Sequence, residues 1–416
     1  MTLFRNEAHR RAGYWLMANH WFMYSAMACV MAHLSRYFDL DLGLNDQNIG
    51  LLMALPLGVG VIFQPLWGVL SDRYLGRTNA YRLAQGLTAV LLVFFSLSHQ
   101  IGGNYLLLAA ACAMMIFHSS NAPLSSGLII SFLGIERRHL FGRIRVFGSA
   151  SFAFTIALLC PLAAAASIYV GVYPRMGIFW LGAAFYLAAL CTTFWDVKQF
   201  EPHHRPPMKS FLTLIQTPNL LHFYFCLFCL GLGAAGGIQY IGPYIGLRGH
   251  SEWFFSSLWA VGVSSEIILT WNLHSIVKRF GLKAIIVFGI ASECIRWTGM
   301  GMTQNPYLYY LIFTMHGTAV IGNFFAAAMY IDSECDESVR STAQTLLFFS
   351  FVSGQVSGYI LSSQIVQFVG AHWSMERVDA IQTSFFAFGA ICAFGALWAW
   401  LFIKKESKFA VLDAKA

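Results

Sequence analysis

Charge is what this chain has least of. Only 11% of its 416 residues are Asp, Glu, Lys or Arg, against about 25% in an ordinary soluble domain. A surface so poor in charge cannot be hydrated all round. With 57% hydrophobic residues, 37 Phe among them, the composition is that of an integral membrane protein. The chain also lacks a GxSxG elbow, an HExxH helix, a Walker loop and any appended polar domain. Those absences argue against a membrane enzyme or a receptor, and no cofactor is expected. The nine Cys are scattered singly, and Cys226 and Cys229 fall inside an apolar run with no supporting loop. They read as core-filling thiols, neither a disulfide framework nor a metal site. The opening MTLFRNEAHRRAG passes into an apolar stretch without a small-residue cleavage site, so the first helix is expected to stay in place.

The apolar residues that are present form twelve blocks of the length a bilayer crossing needs, about 20 residues each. They cover 14–36, 47–70, 79–99, 104–132, 144–170, 176–196, 218–246, 252–276, 283–302, 306–330, 341–369 and 380–403. The predicted fold class is therefore all-α integral membrane, with twelve transmembrane helices. If the N-terminus is cytoplasmic, 21 of the 26 basic residues fall inside. Only Arg36, Arg175, Arg248 and Arg377 fall outside, and Arg296 lies within a span. That asymmetry assigns both termini to the cytoplasm. It also accounts for the net charge of +7 without a nucleic-acid partner. The partners expected are the lipid bilayer, a small-molecule substrate and protons, with the protein acting as a monomer.

The longest polar stretch between spans, DVKQFEPHHRPPMKS, follows the sixth block. It divides the chain into a six-helix bundle over 1–196, a cytoplasmic linker over 197–215 and a second bundle over 216–416. His203 and His204 sit in this Pro-containing linker and read as solvated residues. Two bundles joined by a linker suit a transporter whose central site lies between rocking halves.

Between the second and third spans runs QPLWGVLSDRYLGR, residues 64–77. Its Gly68, Asp72, Arg73, Gly76 and Arg77 resemble the cytoplasmic loop signature of the major facilitator superfamily, although Tyr74 and Leu75 stand where that pattern has one residue. Gly68 is expected to permit close helix contact, and Asp72 to pair with cations or orphan amides near a helix end. A basic loop obeying the charge asymmetry is the plainer reading of the same residues. SIVKRFGLK, 275–283, echoes the segment 205 residues later when Gly76 is matched to Gly281, with Val277 at the place of Asp72. The echo points to a duplicated six-helix unit.

Three charges inside apolar spans require a reason, because each costs roughly 2.5–3.5 kcal/mol at the bilayer centre. Glu293 lies three residues before Arg296 and can pair with it on one helical face. Glu266 has no such neighbour on its own helix. It must meet Arg296 across helices or stay protonated for part of a cycle, which is what coupling a proton to substrate movement requires.

SEIILTWNLHSIVKRFG followed by IRW resembles the nucleoside:proton symporter, phenylpropionate permease and lactose permease group of the superfamily. The 30-residue separation of Glu266 and Arg296 is similar to that of the first two branches. FGRIRVFGSASF, 141–152, resembles the start of their fifth helix, and DSECDESVRSTAQ, 332–344, their loop into helix eleven. The resemblance implies the major facilitator fold in a bacterial cytoplasmic (inner) membrane and symport by alternating access. The solute implied is a nucleoside, a sugar or an aromatic acid. It assigns Arg145 to substrate, Glu266 to proton coupling or binding, and Arg296 to the charge network. The positions that carry amides in nucleoside carriers correspond to Gly237 and Val263, with Gln239 nearby. His316 is similar to the phenylpropionate branch, and Gly127 stands where the lactose branch is acidic. Asn121 and Asn323 complete the expected substrate-binding set of Arg145, Glu266, His316 and Gln239. Asn19, His20, His118 and Gln355 are other polar residues in spans that either line a cavity or bond between helices. A proton-independent facilitator or exporter on the same fold is the alternative, with Glu266 and Arg296 as a structural pair.

Overall fold

A computed structural model describes residues 7–137, 141–194, 218–335 and 337–404. It describes their side chains except at 7–9, 72, 73, 130, 134–137, 141–143, 218, 332 and 337–342. The expected linker 197–215, with His203 and His204, lies outside the described residues. Helices follow one another throughout, and no strand occurs among the described residues.

The first helix, α1, runs Glu7–Met31; a short turn then leads to Leu34–Arg36 and a π-helical turn Tyr37–Asp41. Next comes α2, Asp46–Leu70. The run Arg77–Arg137 has 61 residues. At 1.5 Å per residue it would measure about 90 Å if straight, three times a bilayer's apolar thickness. It turns at Gly103, whose φ of +65° only glycine adopts without strain, and so supplies two spans, α3 before Gly103 and α4 after it. The fifth, α5, is the succession Phe141–Phe154, a π-helical turn Thr155–Leu159 and Cys160–Tyr169. It is followed by α6 (Pro174–Thr192), α7 (Pro218–Leu247), α8 (Glu252–Trp271) and α9 (Leu282–Met302). Then come α10, over Pro306–Ile331, α11 (Glu337–Trp373) and α12 (Arg377–Phe402).

Nine of the described helical runs are long and apolar enough to cross a membrane, the bent one counted once. Two more of span length, α1 and α9, are more polar, and α9 is so because it holds Glu293 and Arg296. Helix starts carry their own caps. Asn45 Oδ1 accepts from Asn48 N at 2.9 Å before α2, Ser251 Oγ from Phe254 N at 3.3 Å before α8, and Asn305 Oδ1 from Tyr307 N at 2.9 Å before α10.

One boundary differs from its sequence expectation in an instructive way. The eighth span ends at Trp271, not 276, and Asn272 separates it from a distinct eight-residue helix, Leu273–Phe280. That segment keeps its apolar residues to one face and ends in Lys278 and Arg279, so it is amphipathic where a span would be apolar all round. Gly76 and Gly281 have matching backbone, φ +75° with ψ 153° and φ +78° with ψ 163°. The sequence echo between them is thus an echo in conformation as well.

The chain packs as two units. One comprises 1–44, 55–206 and 250–260; the other comprises 45–54, 207–249 and 261–416. In the first, α1 lies against α5 and α6, and an aromatic cluster of Tyr37, Phe38, Phe95 and Phe179 fills the interior. In the second, α7 lies against α11 and α12, and α9 against α10 and α12.

Candidate functional site

The charges that stand out in the sequence gather in the second unit on three neighbouring helices. On α9, Arg296 is fully buried and donates from Nη1 to Glu293 Oε1 at 2.9 Å, one helical turn back. The same nitrogen lies 3.2 Å from His316 Nδ1 on α10. A guanidinium has only donors, so His316 Nδ1 is the acceptor and the ring is neutral in this contact. The guanidinium also stacks over Trp297 and Phe313, 4.5 and 4.7 Å from the ring centroids. Ion pair, imidazole and ring faces together replace the hydration that burial removes.

Glu266 is buried on α8, which presses against α10 at this level. Ser265 Oγ donates to Thr314 O at 2.8 Å and accepts from Gly317 N at 3.1 Å. A Cβ on Gly317 would come within 2.5 Å of the Glu266 backbone nitrogen, so only glycine lets α10 approach this closely. Glu266 is therefore packed beside the turn that carries His316, while Arg296 takes Glu293 and His316 as partners. The sequence left Glu266 either to meet Arg296 across helices or to stay protonated for part of a cycle; the structure adds His316 of α10 to the partners of Arg296.

The first unit supplies Arg145, half-buried on α5. It donates from Nη1 to Ser149 Oγ at 3.0 Å, and its guanidinium stacks over the Tyr24 ring of α1 at 4.3 Å. Tyr24 in turn leans on His20, ring centroids 4.6 Å apart, and His20 Nδ1 lies 3.1 Å from Ser125 Oγ. A cation held on an aromatic face is pre-oriented without being neutralised.

Several other expected site residues are used between helices. Asn121 is fully buried and donates to Thr88 Oγ1 at 3.1 Å, and Gln239 donates to Ser363 Oγ at 2.9 Å. Asn323 is buried in a π-helical turn of α10, Ile321–Ala326, a local geometry common at functional sites. Asn19 bonds Ala189 O and Thr192 Oγ1 and accepts from Tyr81, while His118 meets Tyr186 at 2.9 Å. Of the loop signature, Arg77 donates to Ser131 Oγ at 3.0 Å, and Gly76 fills a left-handed position. The side chains of Asp72 and Arg73 lie outside the described residues. Gly68 needs correcting: it is exposed and a Cβ there would meet nothing within 4 Å, so it is not a close-contact glycine.

A family model described as the MFS_1 like family matches residues 14–376. The chain belongs to the MFS_1 like family. This MFS_1-like chain is 26% identical over 352 residues to an uncharacterized transporter, YwbF, of Bacillus subtilis, covering 82% of this chain and 85% of that one. It is 24% identical over 393 residues to the xanthosine permease of Escherichia coli, covering 88% and 89%. A solved point-mutant form of the nucleoside transporter NupG superposes with a TM-score of 0.78 at 14% identity over 94% of this chain and all of that one. The protein is a transporter of the major facilitator type.

Within that family frame, one substitution has a visible cause. Gly237, at a position where the resemblance implies an amide, lies against the indole of Trp297; a Cβ there would fall 2.2 Å from the ring. Trp297 is fully buried and stacked on Phe385, so the ring occupies the room an amide side chain would take. The sequence reading missed a set of ion pairs at helix starts, Glu252 with Arg36 and Arg175, and Asp46 with Arg377. The signal for it was present: the four arginines outside the positive-inside pattern include every cation of these pairs.

Proposed function

We propose that this transporter carries a nucleoside together with a proton, with Glu266 as the coupling carboxylate. The observation that carries the reading is the buried set of Glu266, Glu293, Arg296 and His316 on three packed helices. His316 can accept from Arg296 only while neutral, so a proton arriving at its Nδ1 displaces the guanidinium. Arg296 then turns to a carboxylate or to substrate. A proton taken by Glu266 instead removes a buried negative charge, and either event changes which groups Arg296 can bind. Charge moves with the proton, which is the requirement for coupling.

Arg145 on its Tyr24 platform is the substrate contact in the first bundle, with Asn323 of α10 in the second. The nucleoside assignment is supported by the xanthosine permease and by the NupG fold, and nucleobases suit the flat cation-on-ring arrangement. With Gly237 covered by Trp297, base recognition falls to other groups than the expected amides. Residues 1–196 and 216–416 are the two rocking bundles, joined by the linker. The protein sits in the cytoplasmic membrane with both termini inside and works as a monomer, as the distribution of Lys and Arg suggests for its orientation.

The test is uptake of xanthosine, uridine and adenosine into proteoliposomes. Acidifying the outside accelerates uptake by wild type. Glu266→Gln loses that acceleration and keeps exchange of internal for external substrate. A Glu266→Gln protein that still concentrates nucleoside against its gradient would contradict the coupling role.

A further inference from the structure

The segment between α8 and α9 is not used by the proposed transport site, and it differs from its counterpart in the first repeat. After α2 the chain passes through a π-helical turn, Ser71–Leu75, to Gly76; after α8 it breaks at Asn272 and forms the separate helix Leu273–Phe280, which ends at Gly281. Val277 stands where the first repeat has Asp72. Its side chain is buried in an apolar core with Phe223 of α7, Ile285 of α9 and Tyr330 of α10. SIVKRFGLK thus holds Lys278, Arg279 and Lys283 and no acid, and Lys278 and Arg279 are exposed.

Leu273, Ile276, Val277 and Phe280 follow the i, i+3, i+4, i+7 spacing of one helical stripe. The stripe outruns the protein that covers it. Leu273 and Ile276 pack on the core, but Phe280 is 57% exposed, and Trp271, just before the helix, is 73% exposed. The spans end beside these rings, α8 at Trp271 and α9 beginning at Leu282, which sets the rings at the headgroup level of a bilayer. A third exposed ring, Trp400 in the last turn of α12, has the Lys283 ammonium 5.7 Å from its centroid. The Arg279 guanidinium lies 5.3 Å from the centroid of Phe280. All of these residues belong to the second packing unit.

Exposed rings at this depth are covered by lipid, and cations held on them stand level with lipid phosphate. A zwitterionic headgroup brings its own cation to that phosphate; an anionic one does not. We propose that Lys278, Arg279 and Lys283, with Phe280 and Trp400, form a docking site for the phosphodiester of an anionic phospholipid such as phosphatidylglycerol. The site depends on neither the nucleoside nor the proton assignment, so it stands or fails separately from them.

Amide exchange over 273–280 tests the proposal on the full chain in nanodiscs of phosphatidylcholine with increasing phosphatidylglycerol. In the wild-type chain phosphatidylglycerol should slow exchange there about fivefold or more, while exchange in α6 stays unchanged. Lys278→Gln, Arg279→Gln and Lys283→Gln should each raise the phosphatidylglycerol fraction needed for half-protection about fivefold. Exchanging the two cations, Lys278→Arg with Arg279→Lys, should retain protection. Arg10→Gln with Arg11→Gln, which removes two charges elsewhere, should leave the midpoint in place. Inorganic phosphate added to phosphatidylcholine nanodiscs should not protect. The comparison of lipids on the wild-type chain holds whether or not a variant folds. Equal protection in phosphatidylcholine alone, or protection by inorganic phosphate without anionic lipid, would overturn the proposal. So would a midpoint unmoved by the three Gln variants, or moved as far by the Arg10 and Arg11 replacements.

Discussion

At the scale of single residues, the proposed substrate contact rests on Arg145 and Tyr24. The guanidinium stands 4.3 Å over the ring, so Tyr24 fixes the direction in which five N–H donors point. Arg145→Ala should raise the apparent KM for substrate by about tenfold or more, since one lost charge-assisted contact is worth roughly 1.5–3 kcal/mol. Arg145→Lys should recover only part of this, because an ammonium lacks the planar fork. Trp297 supports a second prediction. Gly237→Asn alone should lower the melting temperature in detergent through overlap with the indole, at a cost of about 1–3 kcal/mol. Adding Trp297→Ala should relieve part of that loss, and a double-mutant cycle on thermal stability would measure the coupling. At this scale the sequence was most legible where it broke its own pattern. Glu266, Glu293 and Arg296 were visible as charges in apolar runs, and the Glu293–Arg296 pair followed from three-residue spacing. Asn121 and Gln239 were less so, because a buried amide that binds substrate and one that bonds a neighbouring helix look alike in sequence.

Helix pairs set the next scale, and here α8 and α10 matter most. Their contact brings the Glu266 backbone against Gly317, so Gly317→Leu should push α10 outward and cost about 1–3 kcal/mol of stability, read as a lower melting temperature. The same change should also impair proton-coupled uptake more than exchange, because it displaces His316 from Arg296. Gly76 and Gly281 hold φ near +75° and +78°. Replacing either by Ala should cost about 1–2 kcal/mol through left-handed strain, with similar effects at the two sites if the repeat is mechanical as well as sequential. Span positions were legible from apolar runs of bilayer length. Boundaries were not where a different periodicity intervened: the basic amphipathic helix Leu273–Phe280 merged with the eighth span in a composition window. The continuation of the first span through Leu34–Arg36 and Tyr37–Asp41 was not legible as helix because Arg36, Asp39 and Asp41 read as the polar end of the span.

Across the whole molecule, the Gly76–Gly281 echo was legible in the sequence and recurs in the backbone, whereas the packing of 45–54 with the second unit and of 250–260 with the first was not. Periodicity describes each helix alone and carries no information on which neighbour its first turn will join. The ion pairs that seat those turns link residues as distant in sequence as Asp46 and Arg377, which no local pattern could connect. Central to the proposed cycle is Glu266 taking a proton inward with each nucleoside. The most direct measurement records lumenal pH in lightly buffered proteoliposomes with no imposed gradient. Adding external nucleoside should acidify the lumen of wild-type vesicles and leave Glu266→Gln vesicles unchanged while both still exchange labelled substrate. Nucleoside entry into wild-type vesicles with no accompanying acidification would contradict the claim.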